Sequence, residues 1–202
     1  VTDTSRGTTL VQNNASVSTI EHALAALHGL RVDNAIIDLN GPEAPIMGGA
    51  AWKFTEALLE AGFTEQKEDR NYFTVKQKIA FSDEEHGVDL IIYPDDHLSI
   101  NVLIDYNSRI LGNQYAILDS IDDFTEEISK SRTFVFFHEL EPLHRMGLIK
   151  GGDLDNAVVI LEKEVDQSEI DRIAKLFNRP GITKHTAGIL NNTELRYPNE
   201  PA

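Results

Sequence analysis

Two stretches of the chain repeat one pattern, and this repetition constrains the fold more than any other feature. Residues 28–39 read HGLRVDNAIIDL, and residues 146–161 read MGLIKGGDLDNAVVIL. Each has the end of a helix, a Gly-Leu step, then Asp-Asn-Ala and a run of apolar, largely β-branched residues typical of a strand. The echo is short, so coincidence is the alternative. Taken as a true repeat, it predicts a duplicated α+β fold.

The polar stretch TEQKEDRN, residues 64–71, is the best candidate for a boundary between two domains. We therefore expect a first α+β domain over residues 1–63, a linker over 64–71 and a second α+β domain over 72–202. Because the chain begins with Val and stops shortly after a strand-like stretch, we expect a fragment whose two domains are both incomplete. Helices are predicted at 18–29, 50–62, 122–130, 139–146 and 168–177, and strands at 8–12, 34–39, 72–81, 88–93, 98–105 and 157–161.

Composition excludes several classes of protein. With 41% hydrophobic residues, 202 residues are enough to bury a core. The absence of cysteine excludes disulfides and cysteine metal clusters. No apolar run reaches the roughly 18 residues of a membrane span, and the net charge of −15 opposes binding to nucleic acid or anionic membranes. We expect a cytoplasmic protein with no nucleic-acid partner and no stable membrane insertion, although a small anionic ligand stays possible.

A glutamate and a histidine stand side by side at the start of the first predicted helix. At about 100° per residue, Glu21 and His22 fall outside its apolar face. In the structural interpretation, Ser18 to Glu21 form an S-x-x-E capping box and His22 is an exposed surface residue. In the functional interpretation, a neutral imidazole binds zinc while the neighbouring carboxylate takes a proton from water. The Glu-His pair alone leaves both interpretations open.

The surroundings of this pair resemble a known family. Residues 18–51, STIEHALAALHGLRVDNAIIDLNGPEAPIMGGAA, resemble the signature of the zinc-dependent UDP-3-O-acyl-N-acetylglucosamine deacetylases, which commit bacteria to lipid A synthesis. SRTFVFF (131–137) is similar to the family's Arg-Thr-Phe segment, and GLIKGGDLDNAVVI (147–160) to its Gly-Leu…Gly-Gly…Asp stretch. The likeness runs across essentially the whole chain in the same order.

The resemblance implies two similar domains, each a sheet with a pair of helices, with the active site between them. It implies that Glu21 is the general base, that His22 is a zinc ligand and that Thr133 stabilises the oxyanion. Phe134 would line the substrate site. The alternative for Thr133 is ordinary β-branched packing without a catalytic role. Amide hydrolysis needs these groups because water must be activated and negative charge must be stabilised as it develops.

The resemblance also implies an apolar passage for the acyl chain of a nucleotide-sugar lipid substrate. Leu140, Ile149 and Leu154 fall where the family forms this passage. The alternative for them, as for Phe134, is that they only pack in the hydrophobic core. Some members of the family are fused to a 3-hydroxyacyl-carrier dehydratase. A similar fusion is therefore a possible partner domain here.

The likeness stops at the family's second zinc-ligand motif. A His-Lys-x-x-Asp helix carries the other ligands in the family, and this chain has no such motif, so we expect those ligands beyond Ala202. We expect the six other histidines to be surface residues, and residues 1–202 alone to be inactive and free of catalytic zinc. Gly48 is a smaller departure, because the family usually has Asp there.

Two rival functions remain open on sequence alone. One is a non-catalytic α+β ligand-binding or assembly domain in which Glu21 is only a helix cap. The other is a different metal hydrolase that uses a similar Glu-His helix. A His-Lys-x-x-Asp segment downstream of this chain would favour the deacetylase over both.

Overall fold

The computed structural model describes residues 1–149, 156–179, 187–190 and 194–202. It confirms the predicted α+β class, because helices and strands both contribute to the fold. The helices are α1 (Glu21–Gly29), α2 (Trp52–Ala61), α3 (Phe124–Glu127), α4 (Leu140–Met146) and α5 (Gln167–Leu176). The strands are β1 (Leu10–Gln12), β2 (Ala15–Val17), β3 (Ile79–Asp83), β4 (Val88–Ile92), β5 (Ile100–Asp105), β6 (Asn113–Leu118), β7 (Thr133–Phe136), β8 (Ala157–Leu161) and β9 (Gly188–Ile189).

The strands pair into three hairpins and one mixed sheet. Strand β1 pairs with β2, β3 with β4, and β5 with β6, each pair antiparallel. In the mixed sheet, β8 lies between β7, which runs parallel to it, and β9, which runs antiparallel. Because parallel neighbours need a crossover connection, the chain passes through α4 between β7 and β8.

The largest hydrophobic core packs against the mixed sheet. Alternate side chains of β8 face opposite sides, so the strand is covered on both faces. One side holds the core formed with α4 and α5, whose buried members are Val135, Phe137, Leu140, Leu143, Val159, Leu161, Ile170, Ile173, Ala174 and Leu190. On the other side, Val158 and Ile160 are fully buried beside the half-buried rings of Tyr106, Phe134 and Phe136.

A second core joins α1, α2 and α3. Ala26 and Ala51 are buried against Phe124, the first residue of α3. The ring of Phe124 lies so close to Gly29 that a Cβ atom at this glycine would stand 2.1 Å from the ring. A glycine at the end of a predicted helix is typical of a left-handed stop. Gly29 is instead still helical, and the position needs glycine for the approach of Phe124.

Several strand and helix predictions need correction. Residues 34–39, predicted as a strand, pair with no other strand in the described parts of the chain, and Ile36 is 91% exposed. Strand β6 was not predicted at all. The helix predicted over 122–130 is only a short 3₁₀ turn followed by α3. Asn191 and Asn192, whose sequence is typical of a hairpin turn, lie outside the described residues.

The predicted linker lies against the exposed stretch that follows α1. The guanidinium of Arg70 donates to the carboxylate of Asp33 over 2.7 and 3.0 Å, and to the carbonyl oxygen of Arg31 over 2.7 Å. Gln66 accepts a hydrogen bond from Asn34. The stretch is thus held by polar side chains. None of the described helices is both long enough and apolar enough to cross a bilayer.

Candidate functional site

A single cavity brings together most of the residues that the sequence singled out. It encloses about 1040 Å³, part of it open to solvent. Its polar lining comes from Arg6, Thr19, Glu21, His22, Glu43, Thr133 and Arg179. Its apolar part lies among β7, β8, α4 and α5. The cavity therefore draws side chains from both ranges predicted as domains.

Glu21 lies in the first turn of α1, but it does not form the predicted capping box. The helix begins one residue after Ile20, and no side chain caps it. Thr19 adopts a positive φ of 56°, and the side chains before the helix bond elsewhere. Ser18 donates to the carbonyl oxygen of Pro42, and Thr19 donates to Glu43. The capping-box prediction was therefore wrong.

The Glu21 carboxylate is instead held by the N-terminal segment of the chain. Its Oε2 atom accepts a hydrogen bond of 2.9 Å from the backbone N–H of Thr8. A Cβ atom at Gly7 would lie 3.5 Å from its Oε1 atom, which is ordinary van der Waals contact. This leaves a half-buried carboxylate, fixed by one backbone donor, on the wall of the cavity.

His22 is half-buried beside Glu21 and lines the same cavity. Burial lowers the pKa of His22 below its ordinary value, although the neighbouring Glu21 carboxylate acts in the opposite direction. An imidazole with a lowered pKa is neutral at neutral pH, which is the form that binds metal ions. The expectation that His22 is merely an exposed surface residue is not met.

Thr133 is the first residue of β7 and is exposed. Its backbone N–H donates to the carbonyl oxygen of Gly49 over 2.8 Å, and it stands opposite Ala157 in the ladder between β7 and β8. The carbonyl of Asn156 lies so close to Gly49 that a Cβ atom there would be 1.6 Å from its oxygen. Thr133 is thus exposed on the cavity wall and does not belong to a hydrophobic core.

Phe134, Leu140 and Ile149 all line the cavity. Phe134 also packs edge-to-face against Tyr106, with ring centroids 5.2 Å apart. Leu140 is buried, and Ile149 packs against the same core. The core and cavity interpretations of these residues are therefore compatible. The remaining predicted member, Leu154, lies outside the described residues.

Sequence reasoning missed part of the cavity wall. Arg6, Glu43 and Arg179 carry charges on the cavity wall, and the Arg6 guanidinium is hydrogen-bonded to Glu139. Helix α5 contributes an apolar stripe of Ile173, Ala174 and, just beyond its end, Phe177. The amphipathic spacing of residues 168–177 predicted this helix. Nothing in that spacing distinguishes a side chain facing a cavity from one facing a filled core.

The donor atoms at the cavity fit part of a zinc site. His22 supplies one neutral imidazole, and Glu21 supplies a carboxylate beside it. In the described parts of the chain, three potential ligands come together only at Asp95, Asp96 and His97, which are exposed and do not line the cavity. His28, His86, His97, His138 and His144 are all exposed, and His185 lies outside the described residues.

A comparison with protein families identifies the chain. Its fold and cavity define an α+β protein with a carboxylate and an imidazole on the wall of a partly apolar chamber. The profile of the UDP-3-O-acyl N-acetylglycosamine deacetylases matches residues 1–202, and the chain belongs to this family.

Named relatives agree with the family match. The chain is 44% identical over its whole length to a bifunctional enzyme LpxC/FabZ of Bacteroides thetaiotaomicron and 42% identical to that of Porphyromonas gingivalis, and it covers 44% of each. It is 39% identical to a UDP-3-O-acyl-N-acetylglucosamine deacetylase of Teredinibacter turnerae, over 79% of this chain and 53% of the relative. The chain thus spans about half the length of the curated relatives it matches.

Proposed function

We propose that this chain carries part of the active site of a zinc-dependent deacetylase. The reaction removes acetate from the 2-amino group of UDP-3-O-acyl-N-acetylglucosamine, the committed step of lipid A synthesis. The observation that supports this most is the joint placement of Glu21, His22 and Thr133 on one cavity. The names of the relatives point to the same reaction.

Glu21 is suited to accept the proton of the attacking water. The carboxylate is half-buried, and its hydrogen bond from Thr8 keeps one oxygen in place. Its position beside the His22 imidazole puts the base next to a potential metal ligand. This arrangement gives Glu21 the role of general base, which typically contributes about 10²–10⁴-fold to the rate.

Thr133 is suited to donate its hydroxyl hydrogen to the carbonyl oxygen of the substrate. Negative charge develops on that oxygen as water attacks, and a fixed donor stabilises it. The strand start that carries Thr133 is held through Gly49 and Ala157. A donor that is already positioned needs no reorganisation during the reaction.

The apolar chamber matches the acyl chain of the proposed substrate. Phe134, Leu140 and Ile149 line it together with residues of α5. An alkyl chain gains roughly 0.8 kcal/mol for each buried methylene group. The chamber therefore gives the substrate an anchor at a distance from the amide that reacts.

His22 would hold the zinc ion, and we propose that the remaining ligands lie beyond Ala202. When bound, zinc supplies Lewis acidity toward the amide carbonyl and the attacking water. We further propose a cytoplasmic location, two similar domains over residues 1–63 and 72–202 with the cavity between them, and a possible fused 3-hydroxyacyl-carrier dehydratase. The bifunctional relatives support the fusion.

Acetate release by the full-length gene product tests the proposal. The purified protein is assayed on UDP-3-O-acyl-N-acetylglucosamine after mild chelation and again after zinc is restored. We expect activity to disappear with chelation and to return with zinc. No acetate release under either condition would favour a non-catalytic binding or assembly domain. Release that is indifferent to chelation would contradict the role of zinc.

Metal analysis of residues 1–202 alone tests the ligand assignment separately. A catalytic zinc site normally has three protein ligands, and the described part of the cavity offers only His22 as an imidazole. We expect no stoichiometric zinc. If zinc is retained and is lost on His22→Ala, other residues within this chain complete the site.

A further inference from the structure

A buried ion pair holds the end of the described chain against the start of β7. The side chain of Glu200 is completely buried, and that of Arg132 is 5% exposed. The Arg132 guanidinium donates to both carboxylate oxygens of Glu200, over 2.8 and 3.0 Å. The Arg132 backbone N–H also donates to Glu200, over 2.8 Å. One carboxylate thus fixes both the side chain and the backbone of Arg132.

Further bonds hold the segment 194–202 in place. The Arg196 backbone N–H donates to the second oxygen of Glu200 over 2.7 Å. The Arg132 guanidinium donates to the carbonyl oxygen of Glu194 over 2.7 Å. Burial acts to raise the pKa of Glu200, but these hydrogen bonds outweigh it and keep the pKa below its ordinary value. The carboxylate is therefore ionised at neutral pH, with its hydrogen-bonding capacity largely filled.

The pair acts directly beside two residues of the cavity wall. Arg132 is followed by Thr133, whose own N–H is fixed by Gly49. The Tyr106 hydroxyl donates to the carbonyl oxygen of Pro201, and the Tyr106 ring packs on Phe134. Glu200 and Pro201 thus support the two successive residues, Thr133 and Phe134, that β7 contributes at its start.

A buried ion pair is a weak source of net stability, because desolvation offsets most of the attraction. An ion pair with this many hydrogen bonds does, however, fix the geometry of the two residues that it joins. We propose that Glu200 is a positioning residue for Thr133, and that through Arg132 it sets the start of β7 so that the Thr133 hydroxyl is correctly placed in the cavity. The inference rests on the proposed function, in which Thr133 donates to the substrate carbonyl.

A double-mutant cycle in the full-length gene product tests this. Glu200→Gln keeps the shape of the side chain and removes its charge, whereas Thr133→Val removes the hydroxyl. If Glu200 acts through Thr133, Glu200→Gln lowers kcat by up to roughly 100-fold with little change in KM. The double variant should then be no slower than Thr133→Val alone. Multiplicative losses, or an unchanged kcat with a lower Tm, would overturn the proposal.

A control variant separates loss of geometry from loss of stability. Thr55 is fully buried in α2, and its hydroxyl donates to the carbonyl oxygen of Ala51 rather than to the ion pair. Thr55→Ala should lower Tm while leaving kcat unchanged at temperatures well below unfolding. If Glu200→Gln does not fold, Glu200→Asp keeps the charge and shortens the reach. It is expected to lower kcat in the same non-additive way.

A spectroscopic measurement keeps the inference testable even if the proposed function fails. The methyl resonance of Thr133 is assigned in threonine-labelled protein by its loss in Thr133→Val. Glu200→Gln and Glu200→Asp should shift or broaden this resonance, whereas Thr55→Ala should not. An unmoved Thr133 methyl would show that Glu200 does not position this residue. A wild-type protein without acetate release, in contrast, would reject only the deacetylase proposal.

Discussion

The two copies of the sequence echo have similar residues and different structures. In the second copy, Ala157–Leu161 forms the central strand β8, and Val158 and Ile160 are completely buried. In the first copy, residues 34–39 form no strand, and Ile36 is 91% exposed. The same pattern of Asp-Asn-Ala and apolar residues thus has opposite outcomes at two places in one molecule.

The difference lies in the neighbours of each copy. Strand β8 has hydrogen-bonding partners on both edges, β7 and β9, and a hydrophobic cluster on each face. Residues 34–39 have no strand partner among the described residues, and polar side chains such as Arg70 and Gln66 hold the start of this stretch. Strand propensity mostly measures packing against neighbours. An apolar sequence becomes a strand only where the rest of the fold supplies them.

The largest effect is expected at Glu21. It tests whether the part of the chain that holds the first copy of the echo takes part in catalysis. In the full-length gene product, Glu21→Gln should lower kcat by about 10²–10⁴-fold, because the amide keeps the shape and loses the basicity. Metal content should not change. Acetate release and metal analysis provide the readouts, with the exposed Glu60→Gln on α2 as the matched control. A wild-type kcat would mean that Glu21 has no catalytic role and only accepts the hydrogen bond from Thr8.

Two parallel truncations test the contrast between the copies directly. Ile160→Ala should lower the free energy of unfolding by about 2–5 kcal/mol, because it opens a cavity in a packed core. Ile36→Ala should change it by no more than about 0.5 kcal/mol, because the side chain is exposed. Urea unfolding of both variants gives the comparison. Equal losses would mean that residues 34–39 are buried in solution.

Removal of the Thr133 hydroxyl tests the contribution of the half that holds the paired copy. Thr133→Val keeps the β-branched shape, so the strand should be retained while kcat falls by about 10²–10³-fold. Steady-state kinetics and thermal melting are measured together. A change in Tm without a change in kcat would assign Thr133 to packing.

The buried ion pair beside β7 gives a smaller, pH-dependent effect. Glu200→Gln should lower the free energy of unfolding at pH 7 by about 3 kcal/mol or less, since the amide still forms hydrogen bonds. The pKa of Glu200 in the folded protein is lowered from its ordinary value of 4.5, so the contribution is full above that pH. It is lost as pH falls through the folded pKa. Urea unfolding across this range should show the two proteins converging in acid, and a constant gap would contradict the assignment.

The exposed ion pair on the first copy provides the smallest effect. Asp33 is about half exposed, and its partner Arg70 is partly exposed. Asp33→Asn should cost only about 0.2–1 kcal/mol of unfolding free energy, as surface pairs do. Salt at about 1 M should remove most of that difference, because it screens exposed charges. A larger, salt-independent loss would show that this stretch is more tightly held than its exposure implies.

Features set by local sequence were the predictable part of the fold. Helix α2, helix α4 with its end at Gly147, and strand β8 were predicted close to their observed bounds. The amphipathic spacing and the glycine that follows each helix are sufficient for this. The α+β class followed from the same signals.

Features that depend on distant partners could not be predicted. The helix start at Glu21 is set by the contacts of Ser18 and Thr19 with residues 42–43, which no local pattern reveals. Likewise, Glu200 and Arg132 are far apart in sequence, and the Arg-Thr-Phe segment that contains Arg132 gives no sign of its partner. The candidate residues at the cavity came from the family resemblance. The geometry that supports them came only with the structure.

The neighbouring glycines at 48 and 49 have opposite tolerances for substitution. A Cβ atom at Gly48 meets no atom within 4 Å, so the position has room for the first atom of a side chain. At Gly49, the same atom would overlap the carbonyl oxygen of Asn156, the residue that leads into β8. A library randomised at both codons and selected for folded protein would therefore keep nearly every residue type at position 48 and return glycine alone at position 49. The residue frequencies from such a selection would show how closely the loop that follows the first copy packs against Asn156 in the second copy.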